Sequence, residues 1–206
     1  MTSYFKRGLY EGTDVPPDWR VAGPFATGVD VPAEDVINRA LGWLRGQAKT
    51  PFFLFVHLYD PHNDYVPPRG YRRTFFTPDG NEVQRLRDLY DCEIFYADKQ
   101  LRRLWRELER RHLRDNTLLV VSSDHGEGLG DHQYLLHALQ VYDEELHVPL
   151  LMAGPGVPSK RVREVVDLAD LFPTLLELLA VPAPANEGRS LVPLMKGDNL
   201  KLGRPF

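Results

Sequence analysis

An aspartate and a histidine stand next to each other at Asp124-His125, between an apolar run and a glycine-rich stretch. A carboxylate oxygen with an imidazole nitrogen suits calcium, magnesium, manganese or zinc, so the residue types alone do not select the metal. Adjacent side chains of an extended strand face opposite sides, but the backbone turns where a strand ends, and Gly126 and Gly128 permit such a turn. We therefore predict that Asp124 and His125 reach one shared cation. The alternative is that Asp124 caps a turn and His125 is an ordinary, partly buried histidine.

A second group of polar residues, His57, Asp60 and His62, follows the apolar run 52–56. Hydrolysis of an anionic ester needs donors that bind the charged oxygens and an acid that protonates the leaving group. Histidines in a loop beside a cation can do either, so we predict that all three residues bind substrate and that His62 is also catalytic. The alternative is that Asp60 starts a turn with Pro61 and the histidines bond to backbone.

His137 lies twelve residues after His125, beyond a loop. It is predicted to return to the same site as a catalytic and substrate-binding residue. The alternatives are that it is a second metal ligand or an ordinary histidine at a helix start. Glu127 is predicted to accept a hydrogen bond that orients His125, or else to be solvated. His132 is a weaker candidate than His137.

The elements that must position these residues alternate along the chain. Three short runs are apolar without alternation at nearly every position, which is typical of strands buried on both faces: 52–56, 117–121 and 148–152. Helical spacing of apolar residues predicts helices after Pro32, across 86–108 and at 170–179. Strands alternating with helices predict an α/β domain with a mostly parallel sheet. Ligand sites in such sheets lie beyond the carboxyl ends of the strands, where the candidate residues stand.

Composition excludes several other classes of protein. The 206 residues are 43% apolar and 26% charged, with a net charge of -4, so a nucleic-acid partner is not expected. The single cysteine, Cys92, excludes an internal disulfide and a cysteine-based zinc cluster. No apolar stretch approaches the length of a membrane span, and Met1–Tyr10 has no signal-peptide pattern. A cytoplasmic location is the default expectation, while a full-length protein could be exported.

Five segments resemble, in the same order, the sulfatase family of the alkaline-phosphatase superfamily. They are 51–68 (PFFLFVHLYDPHNDYVPP), 90–108 (YDCEIFYADKQLRRLWREL), 115–132 (DNTLLVVSSDHGEGLGDH), 141–156 (VYDEELHVPLLMAGPG) and 167–194 (DLADLFPTLLELLAVPAPANEGRSLVPL). The resemblance implies a three-layer αβα fold of the alkaline-phosphatase type, present in part. Residues 32–197 would form a partial catalytic domain between an irregular segment, 1–31, and a tail, 198–206.

The resemblance also implies residue roles. Asp124 matches the metal-binding aspartate of the family, and His125 matches a neighbour that is Asn or His in different branches. His62 looks like the substrate-binding histidine of a His-x-Pro-Tyr-like segment. Many members have a lysine near position 137, so His137 departs from the pattern. A histidine in that region is similar to the pattern of phosphoethanolamine transferases of the superfamily.

The implied activity is hydrolysis of sulfate esters, of a small molecule or a glycan, with a divalent cation. Calcium is the first choice of metal, with manganese, magnesium and zinc as alternatives. Alternative activities are hydrolysis of phosphoryl or phosphonate esters, or phosphoethanolamine transfer.

The nucleophile of the family is absent from this sequence. Family sulfatases carry a Cys- or Ser-x-Pro-x-Arg segment whose first residue is oxidised to formylglycine, whereas Cys92 lies in a predicted helix and no such segment occurs. Two metal ligands are few for calcium, so we expect poor affinity for metal and no turnover by the isolated chain. Another polypeptide that completes the sheet is an expected partner, and an inactive remnant or binding subunit is the alternative.

Overall fold

The computed structural model of the protein describes residues 31–46, 51–62, 64–137 and 140–198. The chain divides into two compact units. The first unit is Met1–Arg111 with Glu127–Glu145, and the second is His112–Gly126 with Leu146–Phe206. Nearly all of the predicted segments 1–31 and 198–206 lies outside the described residues, so those boundaries stay predictions.

The elements of the described residues follow the predicted alternation of helices and strands. Helices α1 to α5 are Ala33–Gly46, Glu82–Arg110, Asp143–Leu146, Leu171–Leu178 and Val192–Lys196. Strands β1 to β4 are Leu119–Ser122, Gly128–Leu129, Leu135–Leu136 and Leu150–Ala153. The three predicted helices are confirmed as α1, α2 and α4, and two of the three predicted strands as β1 and β4. No described helix is both long and apolar enough to cross a lipid bilayer.

The first unit is built on the packing of α1 against α2. Ile37, Leu41 and Leu44 form one stripe of α1 and are at most 4% exposed, because residues three and four apart share a helix face. The first amide group of α1 is satisfied by a residue that is distant in sequence. The Asp60 carboxylate accepts a hydrogen bond from Ala33 N at 2.7 Å. The helix is therefore fixed at its face and at its amino end.

Helix α2 also buries charged and polar side chains. Asp88, Glu93, Gln100 and Glu107 are each at most 8% exposed. Hydrogen bonds from Arg110 and then Arg111 lower the pKa of Glu107 to about 2. A buried carboxylate needs donors to replace water, so each of these acids fixes the groups that surround it.

The prediction of a strand at 52–56 is wrong, because these residues form no strand in the described structure. No ladder forms there, and Phe53 and Phe55 are each 77% exposed, while Leu54 and Val56 are half-buried. The side chains alternate as they do in an extended chain, but no described strand lies beside this segment to pair with it. Strands β1 and β4 pair antiparallel, with Leu119 opposite Ala153.

A second antiparallel pair joins β2 to β3, with Gly128 opposite Leu136. Both ladders of the described residues are therefore antiparallel, whereas the sequence pattern predicts mostly parallel neighbours. Strands of two residues carry too few side chains to give an alternating pattern, so the sequence did not indicate β2 or β3.

The second unit contains a buried polar network around α4. Asp170 is 0% exposed, and its carboxylate accepts from Arg189 N at 2.7 Å and from Asp167 N at 3.0 Å. The hydroxyl of Thr174, also 0% exposed, donates to Asp170 O and accepts from Leu191 N at 2.8 Å. These contacts bind the segment 188–191, and with it α5, to the start of α4.

Thr174→Val should lower the free energy of unfolding by about 1–3 kcal/mol, because Leu191 N would be buried without an acceptor. Urea denaturation followed by circular dichroism measures this. Thr174→Ser is the matched control, since it removes the methyl group but keeps the hydroxyl. A larger loss for the serine variant would show that packing, and not the hydrogen bond, dominates at this position.

Candidate active site

The loop that carries His62 is held to α2 by one buried acid. The carboxylate of Glu93 accepts from His62 N at 3.2 Å and from Val66 N at 2.6 Å. A loop without regular structure leaves its backbone N–H groups in need of acceptors, and a carboxylate supplies several at once. Sequence reasoning did not identify Glu93. The available signal was its position four residues after Leu89 and four before Ala97, on the apolar stripe of α2, where a charged residue requires a partner.

The ring of His62 lies between two other rings. Its centroid is 4.2 Å from that of Tyr59 and 5.1 Å from that of His137, the latter in an edge-to-face arrangement. His62 Nε2 and Tyr59 Oη are 3.4 Å apart. The structure therefore brings together the two histidines that the sequence predicted to be catalytic.

His137 is bonded to a buried acid on its own loop. His137 Nδ1 lies 3.1 Å and 3.3 Å from the two carboxylate oxygens of Glu127, whose side chain is 4% exposed. Glu127 was predicted to orient His125, but its described side-chain hydrogen bonds go to His137. Tyr65, 7% exposed, lies close to the same carboxylate. Burial, and then Glu127, raise the pKa of the Tyr65 hydroxyl far above its ordinary value.

The loop 127–137 is also held to α2, by the side chain of Arg87. Arg87 Nε donates to Leu129 O at 2.7 Å, and its guanidinium also contacts the Asp131 carboxylate at 3.1 Å. Gly130 has φ of 92°, and a Cβ there would lie 2.6 Å from Val83 Cγ1. The close approach of this loop to α2 therefore requires glycine at 130.

The described contacts of His57 and Asp60 are made to other groups. His57 is exposed and stacks on Phe55 at 6.4 Å between centroids. The carboxylate of Asp60 binds the first turn of α1, as described above. This contact gives Asp60 a structural role, and substrate binding by both residues stays a prediction.

Asp124 and His125 lie in the second unit, in the turn after β1. His125 Nδ1 is 2.7 Å from Gly126 O. A carbonyl oxygen only accepts, so Nδ1 carries the proton and Nε2 is the nitrogen with the ligand lone pair. Asp124 Oδ1 lies 3.9 Å from that nitrogen, and the two side chains are 75% and 39% exposed. The carboxylate and the imidazole therefore point the same way and are not splayed apart.

This spacing is compatible with one metal ion. Two atoms that are each about 2.3 Å from a cation, at an angle of about 115°, are separated by the observed 3.9 Å. No group of three or more metal-ligating side chains occurs among the described residues. The pair thus fits as part of a ligand set, and metal binding stays a prediction.

His132 forms a separate ion pair in the first unit. Its Nδ1 is 2.9 Å from Glu144 Oε1, and its ring stacks on Tyr142 at 4.4 Å between centroids. The hydrogen bond raises the pKa of His132 above its ordinary 6.5 and lowers that of Glu144 below 4.5. The His132 ring is 56% exposed, while the Glu144 side chain is 17% exposed.

Comparison with solved structures identifies the fold class. A phosphonate monoester hydrolase of Agrobacterium radiobacter superposes with a TM-score of 0.74 and 26% sequence identity, covering 82% of this chain and 43% of that one. The chain is thus an α/β domain of the alkaline-phosphatase-like type, as predicted. A family model described as Sulfatase matches residues 4–181, and the chain belongs to the sulfatase family.

Curated relatives agree with this family. Arylsulfatase K of Homo sapiens is 36% identical over 115 residues, 55% of this chain and 21% of that protein. A delta 4,5-hexuronate-2-O-sulfatase of Bacteroides thetaiotaomicron is 36% identical over 98 residues, 44% of this chain and 20% of that protein. The chain spans about a fifth of the length of the curated relatives that it matches.

Glu144→Gln should destabilise the protein mainly between pH 4.5 and 6.5. The raised pKa of His132 means that its contribution is complete below 6.5 and is lost as the pH rises through the folded value. The lowered pKa of Glu144 means that its contribution is present above 4.5 and is lost as the pH falls. Thermal midpoints of wild type and variant, measured across this range, should differ most inside it.

Glu187→Gln, the same change at an exposed loop carboxylate, is the control. A difference between wild type and Glu144→Gln that grows above pH 6.5 would contradict the assignment of the ion pair.

Proposed function

We propose that this chain supplies metal-binding and substrate-binding residues to a hydrolase of sulfate esters. The observation that carries the proposal is the arrangement of Asp124 and His125, whose Oδ1 and Nε2 are 3.9 Å apart while Nδ1 is engaged by a backbone carbonyl. An accidental pair would not be expected to direct its lone-pair nitrogen toward the carboxylate. Membership of the sulfatase family supports the reaction class.

The side chains have separate tasks in this proposal. Asp124 and His125 would hold a divalent cation, calcium first, which when bound would offset negative charge on the ester oxygens. His62 and His137 would bind those oxygens or protonate the leaving alcohol, as imidazoles in hydrogen-bond reach can do. Their mutual contact, at 5.1 Å between centroids, supports a joint role.

The nucleophile of the reaction is assigned to polypeptide outside this sequence. No Cys- or Ser-x-Pro-x-Arg segment is present, and Cys92 is 0% exposed inside α2. In the complete site that nucleophile would attack sulfur, and the bond from sulfur to the alcohol oxygen would break as the alcohol takes up a proton. The isolated chain would then bind without turnover.

Sulfate esters of sugars are the substrates that we favour. The names of the Bacteroides relative and of arylsulfatase K both specify sulfatases. A phosphonate monoester is the second candidate, supported by the Agrobacterium hydrolase at a TM-score of 0.74.

Titration of the purified chain with Ca²⁺ and Mn²⁺ should show weak binding, on the order of millimolar or weaker, because two protein ligands are few for either ion. Paramagnetic Mn²⁺ should broaden the NMR signals of His125 more than those of His132. Asp124→Ala should abolish the broadening, and Asp115→Ala, the same change at an exposed aspartate of the same unit, should not.

Tight stoichiometric binding would refute the view that the ligand set is partial. Broadening that survives Asp124→Ala would remove the metal pair from the proposal.

Aryl sulfate, aryl phosphate and aryl phosphonate esters should all remain unhydrolysed by the isolated chain with metal present. Release of nitrophenol from the three nitrophenyl esters measures this. Turnover that persists in both Asp124→Ala and His137→Ala would exclude both residues from the reaction. A shift of the His62 and His137 ring signals with the phosphonate alone would favour the second candidate over the sulfate ester.

A further inference from the structure

The carboxylate of Glu127 is among the most buried charged groups of the first unit. Its side chain is 4% exposed, and its backbone N donates to Glu144 O at 3.0 Å, so the residue is fixed at both ends. The rings of Tyr65 and Tyr90 pack edge to face, at 5.6 Å between centroids, in the same surroundings. Burial and then the Glu127 charge raise the pKa of the Tyr90 hydroxyl. A carboxylate as buried as that of Glu127 requires a strong donor.

His137 supplies a donor to this carboxylate. Nδ1 of His137 lies within 3.3 Å of both carboxylate oxygens. An ionised carboxylate accepts and cannot donate, so Nδ1 must carry a proton whenever this contact is made. The two nitrogens of an imidazole lie on different edges of the ring, and Nε2 is therefore turned away from Glu127. A neutral histidine in water has no such fixed choice between its two tautomers.

We propose that Glu127 is a positioning residue, which keeps His137 protonated at Nδ1 and presents Nε2 to the ester oxygens. The second half of this statement rests on the proposed function, while the first half concerns this chain alone. The ring of His62, edge to face with that of His137, limits rotation from the other side. Two contacts thus set the tautomer and the orientation of one imidazole.

His132 and Glu144 form a natural comparison within the same unit. The same atoms meet, Nδ1 with a carboxylate oxygen, at 2.9 Å. The His132 ring is 56% exposed, whereas that of His137 is 18% exposed. Water competes for the exposed pair, so its contact should hold the tautomer less strongly than the contact of the buried pair does.

The tautomer of each histidine can be read from the ¹⁵N shifts of its ring nitrogens, with the full chain labelled at histidine and the rings neutral. We expect wild-type His137 to be protonated at Nδ1. Glu127→Leu keeps the volume but removes the acceptor, and should reduce the fraction protonated at Nδ1 at least about twofold. Glu127→Asp should preserve it, because a carboxylate remains. Glu144→Leu is the matched control, and should change the signals of His132 and not those of His137.

A wild-type His137 protonated at Nε2 would overturn the proposal without any variant. Retention of the Nδ1 proton in Glu127→Leu, with the His132 signals unchanged as proof of folding, would also overturn it. If the leucine variant does not fold, Glu127→Gln replaces it, and a mixture of tautomers is expected because an amide both donates and accepts. An unchanged tautomer in Glu127→Gln would count against the proposal. The tautomer of His137 is read without metal or ester, whereas the metal titration follows His125 and the ester titration follows changes caused by added ester, so failure of the proposed function would be recognised separately.

Discussion

The first unit depends on one constraint: the buried carboxylates of α2 must find hydrogen-bond donors. Glu93 meets this need with the backbone amides of His62 and Val66, and so fixes the loop that carries a predicted catalytic histidine. Asp88 does the same for Thr77, accepting from its N at 2.7 Å. Because an unpaired buried charge is far more costly than a lost hydrogen bond, these contacts specify loop positions that no apolar packing would define. Hydrogen bonds to the carboxylates of α2 thus hold irregular segments in fixed positions.

The pair Asp124 and His125 of the second unit is organised by a different and more local principle. Asp124 and His125 are neighbours in sequence, and the turn after β1 brings their ligand atoms to the same side. The imidazole is oriented by its own next residue, through Gly126 O, and not by a distant group. Such a pair requires little more than a strand end followed by glycine, which is why the sequence alone could predict it. The histidine pair of the first unit, in contrast, needs two loops and a helix.

The sequence predicted what depends on periodicity and on adjacency. The stripes of α1 and α2 and the apolar run at β1 gave correct elements, and the resemblance gave the family. Three features were not accessible in this way. The segment 52–56 is apolar enough for a buried strand, but burial also requires neighbours, which composition does not reveal. The partner of Glu127 is ten residues away across a two-stranded turn, and spacing along the chain could not distinguish His137 from His125. Asp60 is predicted to bind substrate because it lies near histidines, and its contact with a helix end 27 residues earlier could not be inferred from that spacing.

The glycine at position 130 links two parts of the first unit that are far apart in sequence. Any larger residue there would meet Val83 in the first turn of α2 and would also have to adopt a left-handed backbone conformation. A larger residue at 130 should therefore be accepted only together with a smaller side chain at 83. Natural variation at these two positions would then be correlated even though neither side chain carries any chemistry. Because β2 pairs with β3, which ends directly before His137, the same steric contact also affects the placement of His137.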